Sequence, residues 1–163
     1  ETVQSEDMYA KVLVDKDSPY LKSIILNKGS KNNVKIGMAI VDNSYLVGKI
    51  IEVNYTNSRA LLLSDLNSKI PVLLEPLDIH AVVSGTGKNH GVIEYTKDEY
   101  DQKIEGKEII VYTSGYGGLF KPGLPVGKMI AKDKIKKNVV NFFSDFRQLD
   151  YVKIVSYDIG SGN

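Results

Sequence analysis

The chain has 163 residues, enough for one ordinary domain or two very small ones. Its 21 basic and 20 acidic residues leave no bulk electrostatic drive toward nucleic acid. Cysteine is absent, which excludes a disulfide scaffold and Cys-based zinc sites, and no apolar run approaches the ~20 residues needed to span a bilayer. The opening Glu1–Asp7 is polar and acidic, unlike a signal peptide.

Taken in order, the chain predicts twelve short, turn-bounded strands: Tyr9–Val14, Leu21–Leu26, Met38–Val41, Tyr45–Tyr55, Arg59–Leu63, Ile70–Leu74, His80–Ser84, Gly91–Tyr95, Ile109–Thr113, Val126–Lys132, Asn138–Phe143 and Tyr151–Val155. Alternation sets Ile51, Val53 and Tyr55 on one face against Glu52 and Asn54, and Ile93 and Tyr95 against Glu94. Helix signal is thin. Ser144–Asp150 offers an N-cap and an apolar pair, Phe146 and Leu149, enough for one turn. Residues 97–105 are polar, a helical turn or a loop. Short strands at this spacing predict an all-β fold of two small six-stranded β-barrels, since closure removes exposed sheet edges.

The most informative segment is Thr113–Lys128, with five glycines and two prolines in sixteen residues. A dinucleotide-binding loop would need glycine where Phe120 stands, and Pro122 and Pro125 forbid the helix that would receive the phosphates. Gly115, Gly117, Gly118, Pro122, Gly123, Pro125 and Gly127 are therefore read as structural, supplying turns and close backbone approach between two strands. Within the loop, Tyr116, Leu119 and Phe120 are candidate protein-interface residues on a frame without acidic side chains. A weaker echo lies upstream. Gly29 and Gly37 are spaced as Gly115 and Gly123 are, and each second glycine has an apolar residue three positions before it, Val34 or Phe120.

No catalytic, cofactor or metal site emerges. The histidines, His80 and His90, and Ser114 in its glycine setting invite a serine-protease test, but no Gly-x-Ser-x-Gly surrounds Ser114. Ser84–Asn89 lacks the first glycine and the hydroxyl of a phosphate loop and reads as a hairpin. Asp15, Asp17 and Asp42 lack the spacing of a calcium loop. Two lysine clusters, Lys28, Lys31 and Lys35, and Lys132, Lys134, Lys136 and Lys137, read as solvated loop tips, with an acidic partner or an anionic membrane surface as the functional alternative. Tyr95 with Tyr100 are further candidate interface aromatics.

Thr113-Ser-Gly-x-Gly-Gly-x-Phe120 followed by Pro122-Gly-Leu-Pro-Val-Gly127, with Asn27-x-Gly-Ser30, Gly37-Met38, Leu46–Ile50, Leu61–Asp65 and Val152–Val155, resembles the rod shape-determining MreC family over about residues 9–157. The chain departs from the family pattern at Lys107, where an aspartate is usual, and at Lys121, where proline usually follows the phenylalanine. The resemblance implies one barrel inserted into the other: residues 9–35 plus 105–157 form the outer barrel and 36–104 the inserted one. Residues 1–8 would be a linker after an absent coiled coil, and 158–163 a tail. It further implies a non-enzymatic scaffold on the periplasmic face of the bacterial inner membrane, held there by an N-terminal helix absent from this sequence and meeting the membrane only through it. The implied partners are the chain itself, as dimer or filament, the elongation transpeptidase and other membrane components of the rod complex, without nucleic acid. The alternatives are a chymotrypsin-fold hydrolase and a small-barrel nucleic-acid-binding module.

Overall fold

The computed structural model describes residues 7–13, 22–94, 106–118, 120–130 and 139–156. Twelve strands appear where alternation and turn residues place them: β1 (Asp7–Leu13), β2 (Ser23–Leu26), β3 (Ala39–Asp42), β4 (Tyr45–Val53), β5 (Ser58–Leu62), β6 (Lys69–Glu75), β7 (Ile79–Gly85), β8 (His90–Glu94), β9 (Glu108–Thr113), β10 (Pro125–Ile130), β11 (Val139–Phe142) and β12 (Tyr151–Val155). They close into two antiparallel six-stranded barrels, ordered β1-β12-β3-β4-β5-β2 and β10-β11-β8-β7-β6-β9. No α-helix occurs among the described residues.

The second barrel is built wholly from consecutive strands β6–β11, inserted between β5 and β12 of the first. This corrects the expected boundaries. The insert begins after β5 rather than at residue 36, so β3, β4 and β5 belong to the outer barrel and β9, β10 and β11 to the inserted one. The reason is pairing that composition does not show: β3 finds β12 across the whole insert, with Lys153 opposite Val41 and Val155 opposite Ala39. The expected linker 1–8 is also shorter than predicted, because Asp7 and Met8 already pair with Val155 and Ile154.

Each barrel has its own apolar filling. Ile24, Leu26, Ile40, Val47, Ile50, Val152 and Ile154 fill the outer one. Ile70, Val72, Leu74, Val83, Ile109, Val111 and Met129 fill the inserted one, and that cluster continues onto Ala39, Val41, Leu46 and Val155 of the outer barrel. β3 is thus buried on both faces, inward through Ile40 and outward through Ala39 and Val41. β10 lies against β4 at this seam.

The predicted face of Ile51, Val53 and Tyr55 is observed in part: half-buried Val53 packs against the outer core while Glu52 and Asn54 are exposed. A register shift between Ile50 and Glu52 leaves Ile51 unpaired, and Tyr55 stands in an exposed turn. Residues 144–150 form turns rather than a helical turn: the Arg147 amide donates to Asp145 Oδ1 (3.1 Å), and Phe146 touches both apolar clusters. The Ser84–Asn89 hairpin is present, with Gly87 at φ +83°. Residues 95–105, Asp15, Asp17 and the lysines of 132–137 lie outside the described residues.

Candidate interaction surfaces and the inter-barrel junction

The glycine-proline segment forms the β9–β10 connection. Gly115, Gly117 and Gly123 hold φ of +73°, +77° and +86°, a region L side chains rarely adopt. A Cβ on Gly115 would meet Pro122 at 3.0 Å, and one on Gly127 would meet the Asn141 carbonyl at 2.5 Å, so both positions also demand space. Gly118 lies in a short 3₁₀ turn, and Pro125 opens β10. The organising side chain is one that sequence reasoning passed over. Buried Thr113 donates from Oγ1 to the Lys121 carbonyl (2.6 Å) and accepts from the Leu124 amide (2.9 Å), while its backbone pairs with Leu124 and Gly123.

The three interface candidates of this loop separate. Tyr116 is 76% exposed, and Phe120 is 3% exposed within the inserted barrel's apolar cluster. Leu119 lies outside the described residues. Phe120 as an interface residue is therefore corrected: the glycine turns fold it back onto the barrel end, where burial of a phenylalanine is strongly favoured.

The protease candidates do not assemble. Ser114 Oγ accepts from the Tyr116 amide (3.2 Å), a local turn. His80 sits one residue into β7 opposite Leu73, whereas His90 starts β8 beyond the other end of β7, next to the Gly85–Gly91 pair. At about 3.3 Å per strand residue that separation is on the order of 17 Å, far beyond a shared hydrogen bond. Among the described residues no group of three His, Asp or Glu is placed to hold a metal ion.

Two features missed by sequence reasoning stand out. The first is the junction. Buried Asp65, in the β5–β6 connection, accepts from the Lys22 amide at Oδ2 (2.7 Å) and from the Asn67 amide at Oδ1 (2.8 Å), tying the connection to the start of β2. The β7–β8 hairpin rests on the same connection, with the Gly87 amide donating to the Ser64 carbonyl (2.7 Å) and Gly85 to Ser68 (3.1 Å). A side chain at Gly85 would collide with the Asp65 carbonyl. Ser144 Oγ donates to the Leu46 carbonyl (3.2 Å) where the chain returns.

The second is the outer face of β1 and β12. Tyr9 (72% exposed) stands opposite Lys153, and Tyr151 (61% exposed) opposite Lys11, so the two tyrosines are diagonal neighbours on one sheet face. Lys153 pairs with Asp7 at 3.4 Å beside them. Period-two alternation along β1 points to this face, but only the strand pairing brings Tyr151 to it.

On the outside of the inserted barrel, Ser84 Oγ donates to Glu94 Oε2 (2.8 Å) and Lys69 Nζ lies 3.2 Å from the same oxygen. These two hydrogen bonds, that from Ser84 first, hold the Glu94 carboxyl below its ordinary range.

The sequence matches the family described as rod shape-determining protein MreC, barrel core, over residues 12–156. The chain belongs to the MreC family. It is 33% identical over 144 residues to the cell shape-determining protein MreC of Cereibacter sphaeroides, covering 88% of this chain and 47% of that protein. The chain spans about half the length of the curated relatives it matches. The fold matches the major periplasmic domain of the cell shape-determining filament MreC with a TM-score of 0.81 at 19% identity, covering 97% of this chain and 99% of that one. It also matches the MreC structure from the complex of penicillin-binding protein PBP2 and MreC of Helicobacter pylori, with a TM-score of 0.67 at 15% identity, over 94% and 99% of the two chains. These relatives are described as cell shape-determining proteins.

Proposed function

We propose that this chain is the extracytoplasmic barrel core of a scaffold for bacterial cell elongation, which binds a peptidoglycan transpeptidase and associates with further copies of itself. The observation that carries the reading is the β1–β12 face, where Tyr9 and Tyr151 project from a rigid closed barrel. Aromatic side chains with a polar tip are enriched at protein interfaces, and a sheet locked by closure presents them at little entropic cost. Balanced charge fits a protein partner better than nucleic acid. The complex of the H. pylori relative with PBP2 supports the class of partner, and the likeness to a periplasmic domain supports the location.

The test is the double variant Tyr9→Asp, Tyr151→Asp. Both positions are exposed, so its melting temperature is expected to match that of the parent. Its affinity for the transpeptidase ectodomain, read by biolayer interferometry, is expected to fall by at least about tenfold, as for loss of aromatic anchors. Sedimentation velocity reports self-association in parallel. Unchanged affinity and unchanged sedimentation in the folded variant remove this face from the mechanism.

A further inference from the structure

Independently of that face, one pole of the outer barrel has the composition of a membrane-contacting surface. β2 and β4 end there and β3 and β5 begin there, so the β2–β3 loop (27–38) and the β4–β5 turn (54–57) form its rim. The chain leaves for the inserted barrel and returns from it at the opposite end, after β5 and before β12. The two loops are joined by backbone hydrogen bonds from the Ser30 amide to the Asn54 carbonyl (2.8 Å) and from Lys31 to Tyr55 (3.1 Å). Glycine at 29 permits this approach, since a Cβ there would collide with the Asn54 carbonyl. Gly37, at φ +94°, then donates to the Ile50 carbonyl (2.8 Å) and returns the loop to the barrel.

Within this rigid frame Val34 is buried in the outer core, while its near neighbour Ile36 and Tyr55 across the rim are each 70% exposed. Lys31 and Lys35 are exposed and Lys28 half-buried; the two loops carry these three lysines and no acidic residue, in a chain with a net charge of only +1. Among the described residues at the strand ends of this pole, the acidic groups are engaged: Glu52 lies 3.5 Å from Arg59, and Asp7 lies 3.4 Å from Lys153.

We propose that this pole docks onto a membrane surface rich in anionic lipid. Ile36 would enter the headgroup–acyl boundary, Tyr55 would lie at headgroup depth, and Lys28, Lys31 and Lys35 would meet lipid phosphates. An acidic protein face would satisfy the lysines but gives no reason for an isoleucine held outward at the loop tip. A lipid boundary satisfies both, because the apolar side chain gains burial while lysine stems extend along it with their charges in water. Tyrosine is favoured at that depth for the same amphipathic reason.

The experiment is vesicle co-sedimentation of the 163-residue chain, with phosphatidylglycerol-rich vesicles against phosphatidylcholine alone. Binding is expected only to the anionic vesicles and to weaken as salt shortens the screening length. Replacing Lys28, Lys31 and Lys35 together with Gln is expected to weaken partitioning by about a hundredfold, roughly fivefold per lysine. Ile36→Ser with Tyr55→Ser is expected to weaken it by about tenfold at unchanged melting temperature. No binding to anionic vesicles, equal binding to both vesicle types, or undiminished binding of the lysine variant overturns the proposal. Competition by soluble polyphosphate combined with full binding by the Ser variant also overturns it, in favour of a site for free polyanions.

Discussion

The two glycine loops, 27–38 in the outer barrel and 114–124 in the inserted one, solve the same problem with different outcomes. Each closes a barrel end with a buried apolar plug, Val34 or Phe120, three residues before a glycine at strongly positive φ, Gly37 at +94° or Gly123 at +86°. The 114–124 loop sits at the end where β6 enters and β11 leaves, whereas the 27–38 loop closes the pole away from both crossings. Phe120 shares a cluster with the seam between barrels, while Val34 serves only the outer core and leaves Ile36 free. A repeated closure device thus becomes structural filling at the junction and an exposed surface at the free pole.

The largest expected effect tests the unequal plugs. Phe120→Ala should cost about 3–5 kcal/mol, the range for deleting a buried aromatic side chain, and Val34→Ala about 2 kcal/mol because fewer atoms leave. Urea unfolding of both variants measures this; equal losses would mean that plug size does not distinguish the two ends. The sequence showed both plugs as apolar residues at matched spacing. It could not show that Phe120 is buried and Tyr116 exposed, because which way a glycine-rich loop folds depends on partners such as Thr113.

The junction offers the next largest effect and stands against both loops, since Asp65 ties two segments together rather than filling a barrel. Asp65→Ala leaves the Lys22 and Asn67 amides without their acceptor and is expected to cost roughly 2–3 kcal/mol. Asp65→Asn keeps one good acceptor oxygen and should lose less. If Asp65→Ala melts with the parent, the carboxylate is not what joins the connection to β2. Nothing in the sequence marked this residue beyond its place in the Leu61–Asp65 run. The same limit explains the misplaced insert boundary. All twelve strands were legible from alternation and turn residues, which are local, whereas β3 meeting β12 spans more than a hundred positions of chain.

A smaller effect separates conformation from space. Neither Gly37 nor Gly123 has anything within 4 Å of where a Cβ would stand. Alanine at either should cost only the left-handed backbone penalty, about 1–2 kcal/mol, and the two values should agree within error. A marked difference in thermal melting between the two variants would mean that the loops are not conformational equivalents. At Gly29, by contrast, alanine meets the Asn54 backbone and should exceed both.

The smallest expected effect lies on the inserted barrel's surface, where Glu94 accepts from both Ser84 and Lys69. Glu94 is held below its ordinary value of 4.5 by the hydrogen bond from Ser84, then that from Lys69. A carboxyl whose folded pKa is depressed binds protons more readily in the unfolded chain. Its contribution is therefore complete above 4.5 and is lost as pH falls through the lowered folded value. The group is solvent-exposed, so screening keeps the effect modest and salt should reduce it further. Glu94→Gln cannot titrate, and its melting temperature should fall less steeply than the parent's below pH 4.5, while the two curves run parallel above it. Ser84→Ala is the companion variant, because it removes the larger of the two hydrogen bonds and leaves the carboxyl in place. It should flatten the acid limb in the same direction as Glu94→Gln, by less. If Ser84→Ala leaves that limb as steep as in the parent, the acid response is set by general surface charge, and the Ser84–Glu94–Lys69 arrangement has no special part in it.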